Sequence, residues 1–393
     1  MTDELDELLA QWNRWDSAEE EHTTVSAAQR AKWTQEMVSL NNAAYEFYAL
    51  NQYDSAVPLY SKAYHIAVKL GDTEQQAEYK YWEGHCHRLM EHLREGLACL
   101  LELDCLNSNP PERLHGLIDQ IIIAIRIPIS LRNIQALIRR CRDDTERFGL
   151  QASRSMLLSV EYTLAYYRKD FVTELSRAQE ALSTYEVSAY PGFDIYCHYV
   201  DMIDAFLDNG DRLNAEHWLG KLEAVETRYE ASKELILLSF KRRLALMDGD
   251  HKAAWNYAQR YYHKAREAES SPYGGLKQLA EAGIECRHRL ETGQAVWELL
   301  SKHRNSENGH RRYAIRRLAG DYYRAMSQRA TSPMDEGGKE TAFYRRYEDS
   351  FRKNAMLARR YYEHALKVGQ FIDERLCCDW HEKEIRERLR SLE

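Results

Sequence analysis

A signature of small and aromatic residues recurs along this chain about every 40 residues, and its clearest copy is Ala44, Phe47, Tyr53, Ala56, Tyr60 and Ala63. At helical spacing, such a pattern places a small side chain wherever two helices must approach closely. The small position of each second helix falls at Ala56, Gly96, Ala136, Glu174, Ala215, Ala254, Ala295 and Ala358, at intervals of 40, 40, 38, 41, 39, 41 and 63. Helix pairs repeated at one period stack into a solenoid in which each unit covers the apolar flank of the next. The expected fold is all-α, a right-handed α-solenoid of about eight helix hairpins. Such a stack offers one long concave surface and no closed pocket, so the expected role is to hold another macromolecule.

Composition agrees with helices. Seven prolines and 18 glycines in 393 residues leave little material for β-turns, and a hydrophobic content of 44% can fill a large core. The eight cysteines have no framework spacing and read as small buried hydrophobes. The acidic start, with Asp3, Glu4, Asp6 and Glu7, lacks the positive charge and apolar core of an export signal. The longest apolar run, Leu117 to Ile129, is broken by Asp119, Gln120, Arg126 and Pro128 and is too short to span a bilayer. The expectation is a cytoplasmic chain with no membrane partner.

Three segments follow from the punctuation. Residues 1–25 read as an acidic capping helix and linker, with Leu5, Leu8, Leu9, Trp12 and Trp15 on one stripe. Residues 26–368 read as the solenoid, with Gly71–Asp72, Gly210–Asp211 and Gly249–Asp250 at tight turns and Pro128 ending a first helix. The long final interval reads as a mobile insertion at about 331–340, containing Pro333, Gly337 and Gly338. Residues 369–393 read as a C-terminal cap, a helix from about Ile372 to Leu392 that turns Leu376, Trp380, Ile385 and Leu389 inward.

The residues Ala44, Phe47, Ala56, Tyr60 and Ala63, and again Leu246, Gly249, Asp250, Ala254 and Ala258, resemble the tetratricopeptide repeat family. The period of about 40 is similar to that of long-helix variants, as in kinesin light chains and MalT-type regulators. The resemblance implies a protein-binding role and a concave wall built from the first helix of each pair. On that wall it places Tyr45, Tyr48, Tyr81, His85, Arg88, Thr163, Tyr166, Asp201, Asp204, Arg243, Arg287, His288, Arg317, Asp321 and Arg324. The wall should be aromatic first and charged later. The lysine, asparagine and arginine clamp with which many chaperone-binding members hold a carboxylate is missing, since Asn41, Tyr45, Trp82, Ile118 and Ile122 occupy those positions.

Charge is uneven. Residues 302–365 hold fifteen Lys or Arg against eight Asp or Glu, with Arg311, Arg312, Arg316 and Arg317 in two adjacent pairs. An acidic protein surface suits that end, and nucleic acid is a weaker alternative. No phosphate loop, zinc-protease helix or nucleophile elbow is present, so neither an enzyme nor a cofactor is expected. His85, Cys86, His87 and His92 are the densest set of metal-ligand types, but a site would need ligands from another helix, and no metal site is expected. The expected function is therefore a non-catalytic scaffold or adaptor binding a peptide, helix or acidic partner. The alternative is a ligand-responsive regulator.

Overall fold

A computed structural model describes residues 26–392 apart from residue 51, 107–109, 189–194, 228–229, 268–271, 287–288, 304 and 329–341. The N-terminal cap and the insertion at 331–340 lie outside the described residues. Among the described residues there are 17 helices and no strand.

The helices pair in order. They are α1 (Ala27–Ala49) with α2 (Tyr53–Leu70), α3 (Thr73–Leu89) with α4 (Leu93–Cys105), and α5 (Pro110–Arg126) with α6 (Leu131–Phe148). There follow α7 (Gln151–Arg168) with α8 (Phe171–Ser188), α9 (Ile195–Asp208) with α10 (Arg212–Ala224), and α11 (Glu230–Met247) with α12 (His251–Glu267). The last are α13 (Pro272–Glu285) with α14 (Arg289–His303), α15 (Gly309–Gln328) with α16 (Ala342–Leu376), and the closing α17 (Trp380–Arg390). Each helix packs on its neighbours in sequence, as a solenoid requires.

Local chemistry sets the boundaries. Ser26, Asp72, Ser130 and Asp211 accept a hydrogen bond from the backbone N–H three residues on, and so start α1, α3, α6 and α10. The turns inside the hairpins at Gly210 and Gly249 are left-handed, at φ 73° and 71°. The equivalent turn residues of two other hairpins are Glu91 and Lys169, also left-handed at φ 64° and 56°. A side chain there costs about 1 kcal/mol over glycine. Both carry charges with a specific use, described below.

The repeat register is tighter than the sequence spacing suggests. The crossing residue is the fourth of each second helix: Ala56, Gly96, Ile134, Glu174, Ala215, Ala254 and Thr292. Ala136 is a correction: it is exposed, because the Ser130 cap starts α6 two residues early for that alanine and turns Ile134 inward. In the seventh hairpin Thr292 packs against Gly283, ahead of the expected Ala295, although both are buried. The expected single closing helix is also corrected. α16 runs on to Leu376, the chain breaks at Cys377 with φ 50°, and Asp373 restarts it by accepting from the backbone N–H groups of His381 and Glu382 at 3.3 and 2.7 Å.

The largest difference from expectation is closure. The core of α5, α6 and α7 (Leu117, Ile121, Ile134, Leu157, Leu164) is continuous with that of α15, α16 and α17 (Tyr313, Tyr362, Leu376, Ile385). Gly309 opens α15 so close to Pro128 that a Cβ there would lie 2.9 Å from the proline ring. The Tyr167 and His310 ring centroids are 4.0 Å apart. Beside them Glu91 accepts from Arg126 at 3.1 Å and Asn308 at 3.2 Å, and pairs with Arg311 at 3.2 Å. The superhelix thus returns onto its own second to fourth hairpins, and the concave surface becomes a walled lumen rather than an open groove.

Candidate functional site: an aromatic and charged lumen

The first helices turn one stripe each to the lumen: Tyr81, His85 and Arg88 on α3 and Met156, Ser159 and Thr163 on α7 at spacings of three and four, and Ile118 and Ile122, four apart, with the adjacent Asp119 on α5. With Tyr48 of α1, Trp82 and His115 they line a cavity of about 360 Å³. Its aromatic end is a cluster in which the Tyr48 ring meets Trp82 edge-on at 5.1 Å and Tyr81 meets Trp82 at 5.2 Å. Its polar floor is Asp119, which pairs with His85 at 2.6 Å and Arg88 at 2.9 Å. Burial alone would raise the Asp119 carboxyl, but the charges of Arg88 and His85 overcome it and hold the group at about 2. The Tyr48 hydroxyl lies 3.4 Å from Nε2 of His85 and the Tyr81 hydroxyl 3.4 Å from Nδ1, the nitrogen that faces Asp119, so both ring nitrogens are engaged.

Beyond Ser159 the lumen turns acidic. Ser159 donates to Asp201 at 3.2 Å, and burial together with the neighbouring Asp204 pushes the Asp201 carboxyl well up. Arg243 bridges Asp204 and Asp208. Lys169 reaches Asp208 at 3.6 Å and lies 4.1 Å from the Tyr166 ring centroid, which accounts for a lysine in the strained turn position. Next, Glu281 of α13 gathers Arg242 at 3.1 Å, Arg317 at 3.6 Å and Lys277 at 3.8 Å. Burial would raise Glu281, but Lys277, Arg242 and Arg317 bring it to about 2. Arg317 continues to Asp321 and Glu384, each at 3.6 Å.

The residues proposed for the wall are distributed accordingly. Tyr48, Tyr81, His85, Arg88 and Thr163 meet at the cavity, and Tyr45 stands beside it, 53% exposed, its ring 6.2 Å from that of Tyr48. Tyr166, Asp201, Asp204 and Arg243 share the acidic stretch. Arg287 and His288 lie outside the described residues. The basic end is divided. Arg311 is spent on Glu91 and the Tyr273 ring, Arg317 on Glu281, Asp321 and Glu384, and Arg324 on Asp321 and Ser391. Among the described residues Arg312 and Arg316 make no ion pair with a carboxylate; burial lowers both, helped by the charge of Arg94 at Arg312 and of Arg312 at Arg316. Wall residues that the sequence did not single out include His115, Asp119, Met156, Ser159, Lys277 and Glu281. Asp119 had left a signal, a charge inside the longest apolar run of the sequence.

No protein-family model matches the sequence, and no curated protein does. Among solved structures, the chain is similar to a Rap protein complexed with competence and sporulation factor. The identity is 11%, the TM-score is 0.50, and the match covers 91% of this chain and 100% of that one. At that identity the likeness is one of fold: a helical repeat of this length and order. Among the described residues no helix is long and apolar enough to cross a membrane.

Proposed function

We infer that this chain is a non-catalytic receptor or scaffold that takes an extended peptide segment into its lumen. The observation that carries it is the cavity shared by α1, α3, α5 and α7. Rigid aromatic side chains there offer large contact area at low entropic cost, and a preformed polar floor of His85, Arg88 and Asp119 can pair with peptide groups. The Rap neighbour was solved with a bound factor, which supports placing a ligand on this fold. A second contact rests on Arg312 and Arg316, two arginines of the basic end with no carboxylate partner among the described residues, and would steer an acidic surface there.

Panning the purified full chain against a displayed random-peptide library tests the lumen. Ser159→Trp fills the cavity from α7 without touching the floor. Peptides enriched on the natural chain and lost on this variant support the reading. No enrichment, or equal binding by the variant, refutes it. A partner whose capture is lost at raised salt and in the Arg312→Glu/Arg316→Glu variant, yet survives Ser159→Trp, supports the second contact.

A further inference from the structure

On the opposite face of α3 from the cavity, Glu83 and His87 sit four residues apart on one stripe. The close crossing of α3 and α4 at Gly84 brings Cys99 of α4 alongside; a Cβ on Gly84 would lie 3.1 Å from that of Cys99. One ligand atom from each of Glu83, His87 and Cys99 lies within 4.8 Å of the others. We propose that Glu83, His87 and Cys99 form a structural site for a zinc-type divalent cation that clamps the second hairpin. His92 is the available fourth ligand, its ring centroid 5.9 Å from that of His87.

Three observations favour it. A carboxylate, an imidazole and a thiol from two helices are a zinc donor set, and contraction to about 2.0–2.3 Å around the ion needs only side-chain adjustment. Nδ1 of His87 is buried with no hydrogen-bond partner. Glu83 can be released to the metal: its present partner Lys80 is shared between Glu83 at 3.0 Å and Glu102 at 3.1 Å, so the ammonium keeps a carboxylate when Glu83 turns away. The second His/Cys/Asp cluster, Asp373, Cys378 and His381, differs on this point. Both Asp373 oxygens already accept from the backbone of α17, and one also from the Cys378 thiol at 3.2 Å. On binding, the Cys99 S–H bond breaks, its proton leaves to solvent, and a metal–thiolate bond forms with no change of oxidation state.

Cobalt(II) titration of the full chain, stripped of metal and kept reduced, reads the site directly. A thiolate-to-cobalt charge-transfer band with intense tetrahedral ligand-field bands, bleached by equimolar zinc, is expected. Cys99→Ser should abolish the charge-transfer band, His87→Gln should weaken zinc binding by about tenfold or more, and Cys378→Ser should change neither. Absence of the bands, or their persistence in Cys99→Ser, overturns the proposal. Circular dichroism of Cys99→Ser, an isosteric change, confirms that the comparison is between folded chains.

Discussion

Glu174 offers the sharpest test of the packing argument. It occupies the crossing position of the fourth hairpin, where Ala56, Ala215 and Ala254 stand in others, and it is 0% exposed with neither carboxylate oxygen hydrogen-bonded. Burial, then the nearby Asp208, raises its carboxyl from 4.5 to about 8. A group whose folded value lies above its unfolded one holds its proton more tightly when folded. Its penalty on the folded state is absent below 4.5, grows as pH rises, and is complete above about 8. At about 1.4 kcal/mol per pH unit the ceiling is about 5 kcal/mol, and side-chain relaxation toward water reduces this to roughly 2–3 kcal/mol. Glu174→Gln keeps the shape and removes the ionisation. Urea denaturation of both chains from pH 5 to 9 should therefore show the variant gaining on the natural chain as pH rises, by about 2–3 kcal/mol at the alkaline end. Parallel stability curves, or a variant that loses ground at high pH, would refute the reasoning.

Other expectations follow from the same contacts. Glu91→Gln leaves Arg126 and Arg311 without their shared carboxylate and should cost about 2 kcal/mol while enlarging the radius of gyration measured by small-angle scattering. An unchanged radius would show that the apolar seam closes the superhelix alone. Gly320→Ala places a Cβ 2.4 Å from the fully buried Tyr362 ring and should cost about 1–3 kcal/mol in thermal or chemical unfolding. The Asp119 carboxyl, held at about 2, stabilises the folded chain above pH 3.8 and loses that contribution as pH falls through about 2. Acid titration of Asp119→Asn against the natural chain should show a difference of about 2 kcal/mol at pH 5 that vanishes near pH 2.

How much of this was legible in the sequence depends on the range of the interaction. The period, the helix pairing and the lumen-facing stripe rest on local spacing, so Tyr81, His85 and Arg88 could be placed on one face from their numbers alone. The register at Ala136 failed because a capping serine outranked a small residue in setting the start of α6. Closure was invisible for a different reason. It is the sum of small rotations at every helix crossing, and no single segment encodes it. Glu91 and Arg311 carry no mark that they meet 220 residues apart, so the arginines of the basic end read as free surface when several are internal counter-ions. The acidic stretch was half legible: Asp201 and Asp204 could be placed on the wall, but Lys277 and Glu281 acquire meaning only once Arg242 of α11 and Arg317 of α15 converge on α13.

The seam also changes how the molecule should come apart. An open array of repeats obeys nearest-neighbour energetics, in which the ends fray and each unit melts at little cost to distant ones. Here the pairing of Glu91 with Arg311, and of Pro128 with Gly309, ties units from opposite halves into one cooperative block. Such non-local contacts raise the contact order, so the barrier to folding is set by forming a loop of about 200 residues. Removal of the last hairpin would then do more than shorten the array: it would strip a wall from the second to fourth hairpins and turn a single unfolding transition into several.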